Sequence, residues 1–284
     1  MLTQRCRPML GTYVEISVED HSNELRILQA IEHAFETIQK VDNLMSFHRL
    51  GSELGKINRK AATQPVRVHA WTYEVLSKAL EIFKLTKGSF DCAIANDLLA
   101  QGLLPGRTSS PLNTNPITSR AKRPSSASII LNDGCDVRFT EPLAIDLGGI
   151  AKGFAVDRAC ESLIESGLQA GCVNAGGDLR VFGEFEKAIH IRNPKQTAQL
   201  IYAGQLSHGA IATSGIYFTE PDCMRAPRSA LISPRTGDPI FEKKSFTVIA
   251  KTCMVADGLT KALAVEQNPA AEYFQYFEAT PLIL

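Results

Sequence analysis

The chain has no apolar run of the roughly 18 residues that a membrane-spanning helix needs. It has no excess of either charge: Lys+Arg and Asp+Glu stand at 30 each among 284 residues. A bulk surface for nucleic acid or for insertion into an anionic membrane is therefore not expected. The N-terminal stretch MLTQRCRPMLGTYVEISVED lacks the apolar core and small-residue cleavage site of a secretory leader. Cys6 has no apolar run before it to mark a lipid-anchored export site. The seven cysteines are an odd number with no C-x-x-C pair, which argues against a disulfide framework and against a thiolate metal site. A cytoplasmic chain with reduced thiols is expected. Neither G-x-x-x-x-G-K-[ST] nor G-x-G-x-x-G occurs, so neither of the two commonest nucleotide-binding loops is present.

What is there is ordinary for a folded protein: 44% hydrophobic and 21% charged residues. The length allows one large domain or two intimate lobes. Alternation over Thr12–Val18 predicts a half-buried strand, with Val14, Ile16 and Val18 on one face. Ser22 is expected to cap a long helix whose stripe runs Leu25, Leu28, Ile31, Phe35, Ile38, Val41, Leu44. Further helices are predicted over Thr72–Lys87, Ala151–Ser166 and Thr252–Glu266. Strand-like runs lie at Cys172–Asn174, Leu179–Phe182, Ala188–Arg192, Leu200–Ala203, Ala210–Thr213 and Phe246–Ala250. The mixture lacks a strict β-α-β-α rhythm, which predicts an α+β fold. Pro105–Ser128 is rich in Pro, Ser, Thr and Asn and reads as too polar to pack: a mobile surface loop, or a lid.

One stretch carries most of the chemistry. Residues 143–162 read LAIDLGGIAKGFAVDRACES. A short apolar run ends at Asp146, the pair Gly148–Gly149 makes a turn, and a helix begins with Lys152 near its start. Glycines let the backbone approach a ligand closely. A helix N-terminus favours an anion, usually phosphate. Asp146 adds a carboxylate and Lys152 a cation. The plain alternative is an ordinary strand–turn–helix corner.

The pattern D-L-G-G-I-A-K-G-x-A-V-D resembles the signature of the FAD:protein FMN transferases, the ApbE family. The resemblance extends in order through MLGTYVEI at 9–16, MSFHRLGSELGKIN at 45–58, GSFD at 88–91 and VNAGGDLRVFG at 173–183. It continues through AIATSG at 210–215, PRTGDP at 234–239 and VIAKTCMVADGLTKAL at 248–263. It implies an α+β fold of the ApbE type: a mixed sheet related to the T-fold, with packed helices, in a single domain over residues 1–284. It also implies a reaction in which FMN passes from FAD to a Ser or Thr hydroxyl of an acceptor protein and AMP leaves. Such chemistry needs positioning and charge neutralisation, the latter usually from Mg²⁺.

By the same resemblance the FAD contacts are Leu10, His48, the backbone of Ser89, Phe90 and Asp91, then Asp146, Lys152 and Ile232. The metal ligands implied are the Gly149 carbonyl, Asp257 and Thr260, with Lys261 beside them. Read as residues alone, Asp257 and Lys261 are an i,i+4 ion pair on a helix, Asp91 caps a turn, and Ser52 and Glu53 are a capping pattern. Asn174–Asp178 reads as a tight turn or as support for the Gly148–Gly149 loop. Thr213–Ser214–Gly215 reads as a loop or as a source of hydroxyls near phosphates.

Three segments depart from the family pattern. Lys261, four residues after Asp257, stands where the family's metal-binding Thr is usual, and the Thr of this chain, Thr260, is one residue earlier. A protonated Lys has no acceptor for a metal, so either Thr260 and waters fill the gap or the ammonium replaces part of the metal's charge. Ala230 and Ser233 stand where His and Asp are usual, and that His is a plausible general base. Gln101-Gly102-Leu103 stands where Trp-Gly-Phe is usual. No catalytic residue is assigned. Two other activities therefore remain open beside FMN transfer: Mg²⁺-dependent hydrolysis of FAD to FMN and AMP, and flavin binding without catalysis.

Overall fold

The structure, a computed structural model, describes residues 2–21, 23–106, 123–216 and 228–284. The chain opens with β1 (Leu2–Met9), β2 (Thr12–Glu19), α1 (Glu24–Met45), α2 (Glu53–Lys60), β3 (Val66–Arg67), α3 (Ala70–Leu85) and α4 (Ala95–Ala100). A 3-10 turn (Ser126–Ser128) leads to β4 (Ile129–Asn132) and β5 (Asp136–Phe139), then α5 (Ala151–Glu165). The second half holds β6 (Ala170–Ala175), β7 (Asp178–Phe182), β8 (Lys187–Arg192), β9 (Leu200–Leu206), β10 (Gly209–Gly215) and β11 (Ser245–Ala250). α6 (Cys253–Glu266), α7 (Glu272–Tyr276) and β12 (Thr280–Ile283) complete it.

Among the described residues the strands form three sheets. The main one has seven strands in the order β1-β2-β6-β7-β10-β11-β12, every neighbouring pair antiparallel. The others are β3-β5-β4 and the hairpin β8-β9. The α+β expectation holds. Period-two alternation assigns the two faces of the main sheet. Val14, Ile16 and Val18 of β2, Val173 of β6 and Phe246 and Val248 of β11 face the helices and join the larger core. Cys172, Leu179, Val181 and Ile211 face the other way and pack with Ile189, Ile191 and Leu206 of the β8-β9 hairpin.

Strands β6 to β11 match their predicted positions to within three residues, because each is flanked by turn residues. β1 is legible only as a match to β2: LTQRCRPM is polar and mostly exposed, as suits an edge strand blunted by Arg5, Arg7 and Pro8. Ser22 lies outside the described residues; the cap of α1 is Asn23, whose side chain accepts from the Leu25 amide. Of the polar segment 105–128, residues 107–122 lie outside the described residues, so its reading as a loop or lid does too. Its end packs, contrary to expectation. Ser126 is fully buried, because its hydroxyl and amide both donate to the Asp91 carboxylate. Arg123 pairs with Asp97. A polar segment can pack where each polar group finds a partner.

Two devices on α5 set its crossing with α6. Gly153 permits contact: a Cβ there would stand 2.3 Å from the Cys253 carbonyl oxygen. Asp157 pins it. Thr252, the residue before α6, makes no side-chain cap. Instead the Asp157 carboxylate accepts from the amides of Cys253 (2.9 Å) and Met254 (2.8 Å), satisfying donors that a helix start leaves free. Arg180 of β7 pairs with Asp157 at 3.0 Å and ties both helices to the sheet.

Candidate active site

A cavity of about 920 Å³ opens beside the start of α5, at the upper end of the usual size for ligand pockets. Its walls are the β1–β2 turn, the end of α1 with the loop after it, and the turn before α5. Leu10, His48, Asp146, Gly148 and Lys152 line it, with Met9, Phe47, Asp42 and Leu104. Leu10 and Gly11 both have positive φ, 55° and 72°, as a two-residue hairpin turn requires; this turn aims Leu10 at the cavity. A smaller recess, about 30 Å³, lies on the other side of Asp146. It is lined by Ser89, Phe90, Asp91, Gly149, Ala230, Ile232 and Lys261. Asp146 borders both spaces. All eight residues expected to touch FAD therefore line two adjoining spaces that share the Asp146–Gly149 turn.

Local structure explains the turn. Asn58 holds the run before it as a peptide group would: its side chain accepts from the Ile145 amide and donates to the Ile145 carbonyl, both at 2.9 Å. The Asp146 amide donates to Cys92 O at 2.8 Å. The carboxylate then accepts from Gly148 N at 2.9 Å. Burial raises the Asp146 pKa; the Gly148 amide and the charge of His48 oppose this in part. Asp91 is also raised by burial; its carboxylate is taken up by Ser126 and by the Ala93 amide at 2.8 Å, as a turn cap. Ser52 caps α2 through Gly55 N at 3.0 Å. Glu53 accepts from His69 N and Thr72 Oγ1 at the start of α3. The capping reading holds for these three. Burial pushes the thiols of Cys92 and Cys172 up to about 12, so neither is a nucleophile near neutral pH.

Behind the turn lie two Lys–Asp pairs. Lys152 pairs with buried Asp178, whose other oxygen accepts from Thr213 N at 3.3 Å. The Asn174–Asp178 turn thus supports the Gly148–Gly149 loop through Lys152. Burial depresses the Lys152 pKa, with Asp257 opposing. The second pair is Lys261 with Asp257. Asp257 is fully buried. Its Oδ2 accepts from Gly153 N at 3.0 Å and its Oδ1 faces the Lys261 ammonium, which also donates to the Asp257 carbonyl at 3.1 Å. Thr260 donates to the same carbonyl at 2.7 Å and meets Ser214 Oγ at 2.7 Å. Thr213–Ser214–Gly215 is part of β10; the Ser214 hydroxyl supports α6 from the sheet, while the Thr213 hydroxyl meets Thr247 Oγ1 of β11 at 2.9 Å. Among the described residues no group of three or more His, Cys, Asp or Glu is placed to hold a metal ion. Asp257 and Thr260 line neither cavity; Gly149 and Lys261 line the small one.

Burial works against the charge on Asp257, but Lys261, Lys152 and the Gly153 amide outweigh it, and its pKa lies below the ordinary value. The stability this carboxylate contributes is therefore complete above its unfolded pKa, about 4, and is lost as pH falls through the depressed folded value. Stability measured against pH should fall more steeply on the acid side of about pH 4 for the native chain than for Asp257→Asn/Lys261→Met. Identical acid limbs would show that the pair is not the source.

The pattern of the ApbE family matches residues 10–280. The chain belongs to the ApbE family. It is 29% identical over 240 residues to an FAD:protein FMN transferase of Vibrio cholerae, covering 80% of this chain and 70% of that one. It is 28% identical over 273 residues to one from Haemophilus influenzae, covering 90% and 78%. Its fold matches the crystal structure of the ApbE protein from Thermotoga maritima with a TM-score of 0.81 at 26% identity, covering 100% of this chain and 94% of that one. It matches the flavin transferase ApbE of Vibrio cholerae with a TM-score of 0.76 at 26% identity, covering 100% and 93%. Against the ApbE pattern, sequence reasoning did not give Asp157 or Asn58 a role. The signal for Asp157 was an acid on the apolar face of FAVDRAC, which must be partnered if buried.

Proposed function

We propose that this chain is an FAD:protein FMN transferase. The hydroxyl oxygen of an acceptor Ser or Thr attacks the phosphorus of the FMN half of FAD, the phosphoanhydride bond breaks, AMP leaves, and the hydroxyl proton is lost. The observation that carries the reading is the cavity of about 920 Å³ meeting the Asp146–Gly148–Lys152 turn at the start of α5. A flat apolar ligand would fill the cavity between Leu10 and His48. A diphosphate would meet the helix N-terminus and the lysines at its end. In this reading the whole chain, 1–284, is one domain, which a single large core shared by α1, α3, α5, α6 and the main sheet supports. The protein works in the cytoplasm, a reading supported by six cysteines that stand free among the described residues. Also among them, no helix is long and apolar enough to cross a membrane.

The resemblance implies Mg²⁺, bound by the Gly149 carbonyl, Asp257 and a Thr whose place Lys261 takes, with Thr260 beside it. The residues as arranged do not fit it. One oxygen of Asp257 accepts a hydrogen bond from the Gly153 amide, the other faces an ammonium, and the Thr260 hydroxyl is engaged on both sides.

The test is to mix the protein with FAD and an acceptor polypeptide bearing a flavinylation Ser or Thr, then measure AMP release and covalent FMN together. Equal yields are expected. AMP without covalent FMN would favour hydrolysis, a second reading supported by Ala230, which lines the small recess where the family resemblance implies a His. Ala230→His should then raise covalent transfer, toward the roughly 10²–10⁴-fold that a general base is worth. An unchanged transfer rate would mean that the proton leaves by another route.

A further inference from the structure

The Lys261–Asp257 pair occupies the place where a divalent cation would be expected. We propose that the Lys261 ammonium is a resident cation of this site, held by Asp257 and turned toward the Gly149 loop, so that the chain binds the diphosphate of FAD without a divalent metal ion. The inference rests on the flavin reading above.

Three observations carry it. The first is position. Lys261 lies one turn along α6 from Asp257, and its stem runs beside Gly149, where an added Cβ would stand 3.5 Å from Lys261 Cε. The side chain therefore lies between a buried carboxylate and the turn that faces the ligand spaces, and it lines the small recess with Asp146. The second is donor count. An ammonium has three N–H donors. Two reach Asp257, at its carboxylate and its carbonyl; among the described residues the third has no protein partner and is available to a phosphate oxygen. The third is the state of the other donors. Gly153 N and Ser214 already bind the oxygens of Asp257 and Thr260 that a metal would need, and the mutual distances suit hydrogen bonds.

Charge gives a consequence. Mg²⁺ beside Asp257 would leave one net positive charge against the diphosphate, whereas the Lys261–Asp257 pair is neutral, as is Lys152–Asp178. The diphosphate is therefore held more by directed N–H donors than by net charge.

The experiment is a fluorescence titration of FAD into the full chain, once with excess EDTA and once with excess Mg²⁺. It is accompanied by calorimetric titration of Mg²⁺ alone into the flavin-free protein. The native chain should give the same FAD affinity in both media and no heat from Mg²⁺ binding. Lys261→Thr should bind Mg²⁺ and gain roughly tenfold or more in FAD affinity when it is added. Lys261→Arg keeps the charge and should remain indifferent to Mg²⁺. If Lys261→Thr does not fold, Asp257→Asn/Lys261→Met, which removes both charges, should bind FAD more weakly and equally so in both media. FAD binding by the native chain only in Mg²⁺ would overturn the inference and leave the flavin reading standing. No FAD binding in either medium would overturn the flavin reading, and this inference with it.

Discussion

Asp157→Ala is expected to lower the thermal midpoint by on the order of 10 °C. Three groups depend on that carboxylate: the amides of Cys253 and Met254 and the Arg180 guanidinium. The substitution would leave the first two amides of α6 without acceptors and Arg180 short of a counter-charge in a largely buried place. Glu161 stands 3.6 Å from Arg180 and would compensate only in part. Breaking one partner of a buried pair costs roughly 3–5 kcal/mol, and for a domain of this size each kcal/mol moves the midpoint by a few degrees. The carboxylate carries a cost of its own, since burial raises its pKa against the help of Arg180 and the two amides. Asp157→Asn separates the parts: it keeps one carbonyl acceptor for α6 and loses the ion pair, so it should fall between the native chain and Asp157→Ala. Thermal unfolding by circular dichroism measures this. A midpoint for Asp157→Ala within error of the native value would mean that α6 is positioned without the cap.

Gly153→Ala should damage folding and flavin binding together. The added Cβ would meet Cys253 O at 2.3 Å, Cys253 C at 2.6 Å and Met254 N at 2.8 Å. All three are backbone atoms, and Asp157 pins the same two residues from one turn further along α5, so they cannot withdraw independently. The helices must separate. Overpacking of this kind costs about 1–3 kcal/mol and more where the neighbour is rigid. Separation also lengthens the bond from Gly153 N to Asp257 and shifts Lys152 on the same turn of α5. FAD affinity should therefore fall even in the fraction that folds. A Gly153→Ala protein with native midpoint and native FAD affinity would show that the α5–α6 contact has slack.

Much of the fold was legible because its signals are local. α5 and α6 are read within a residue of their ends, since a Gly pair precedes one and a strand precedes the other. β2 alternates, with Val14, Ile16 and Val18 on the face that meets the helices, while β6, β7, β10 and β11 read as short apolar runs because they are buried or half-buried along most of their length. β1, α2, β3, α4, β4, β5, α7 and β12 were not legible as elements. They are short or polar, and pairing holds the strands: β1 on β2 across a two-residue turn, and β12 on β11, which is distant in sequence.

The site divides along the same line. The resemblance to the ApbE family was enough to name Leu10, His48, Ser89, Phe90, Asp91, Asp146, Lys152 and Ile232 as expected FAD contacts, and the fold gathers them around one turn. Spacing could not say what Asp257 is bonded to. An acid and a lysine four apart on a helix look the same whether the pair lies on the surface or in the core. Burial decides between them, because a fully buried carboxylate must keep its partners. Composition, periodicity and motif order therefore determined the α+β class, the family and the turn that faces the ligand. Only the tertiary structure decided that Asp157 caps a helix distant in sequence and that the Lys261 ammonium sits against Asp257. Both depend on which surfaces of α5 and α6 meet, and that follows from close packing at Gly153.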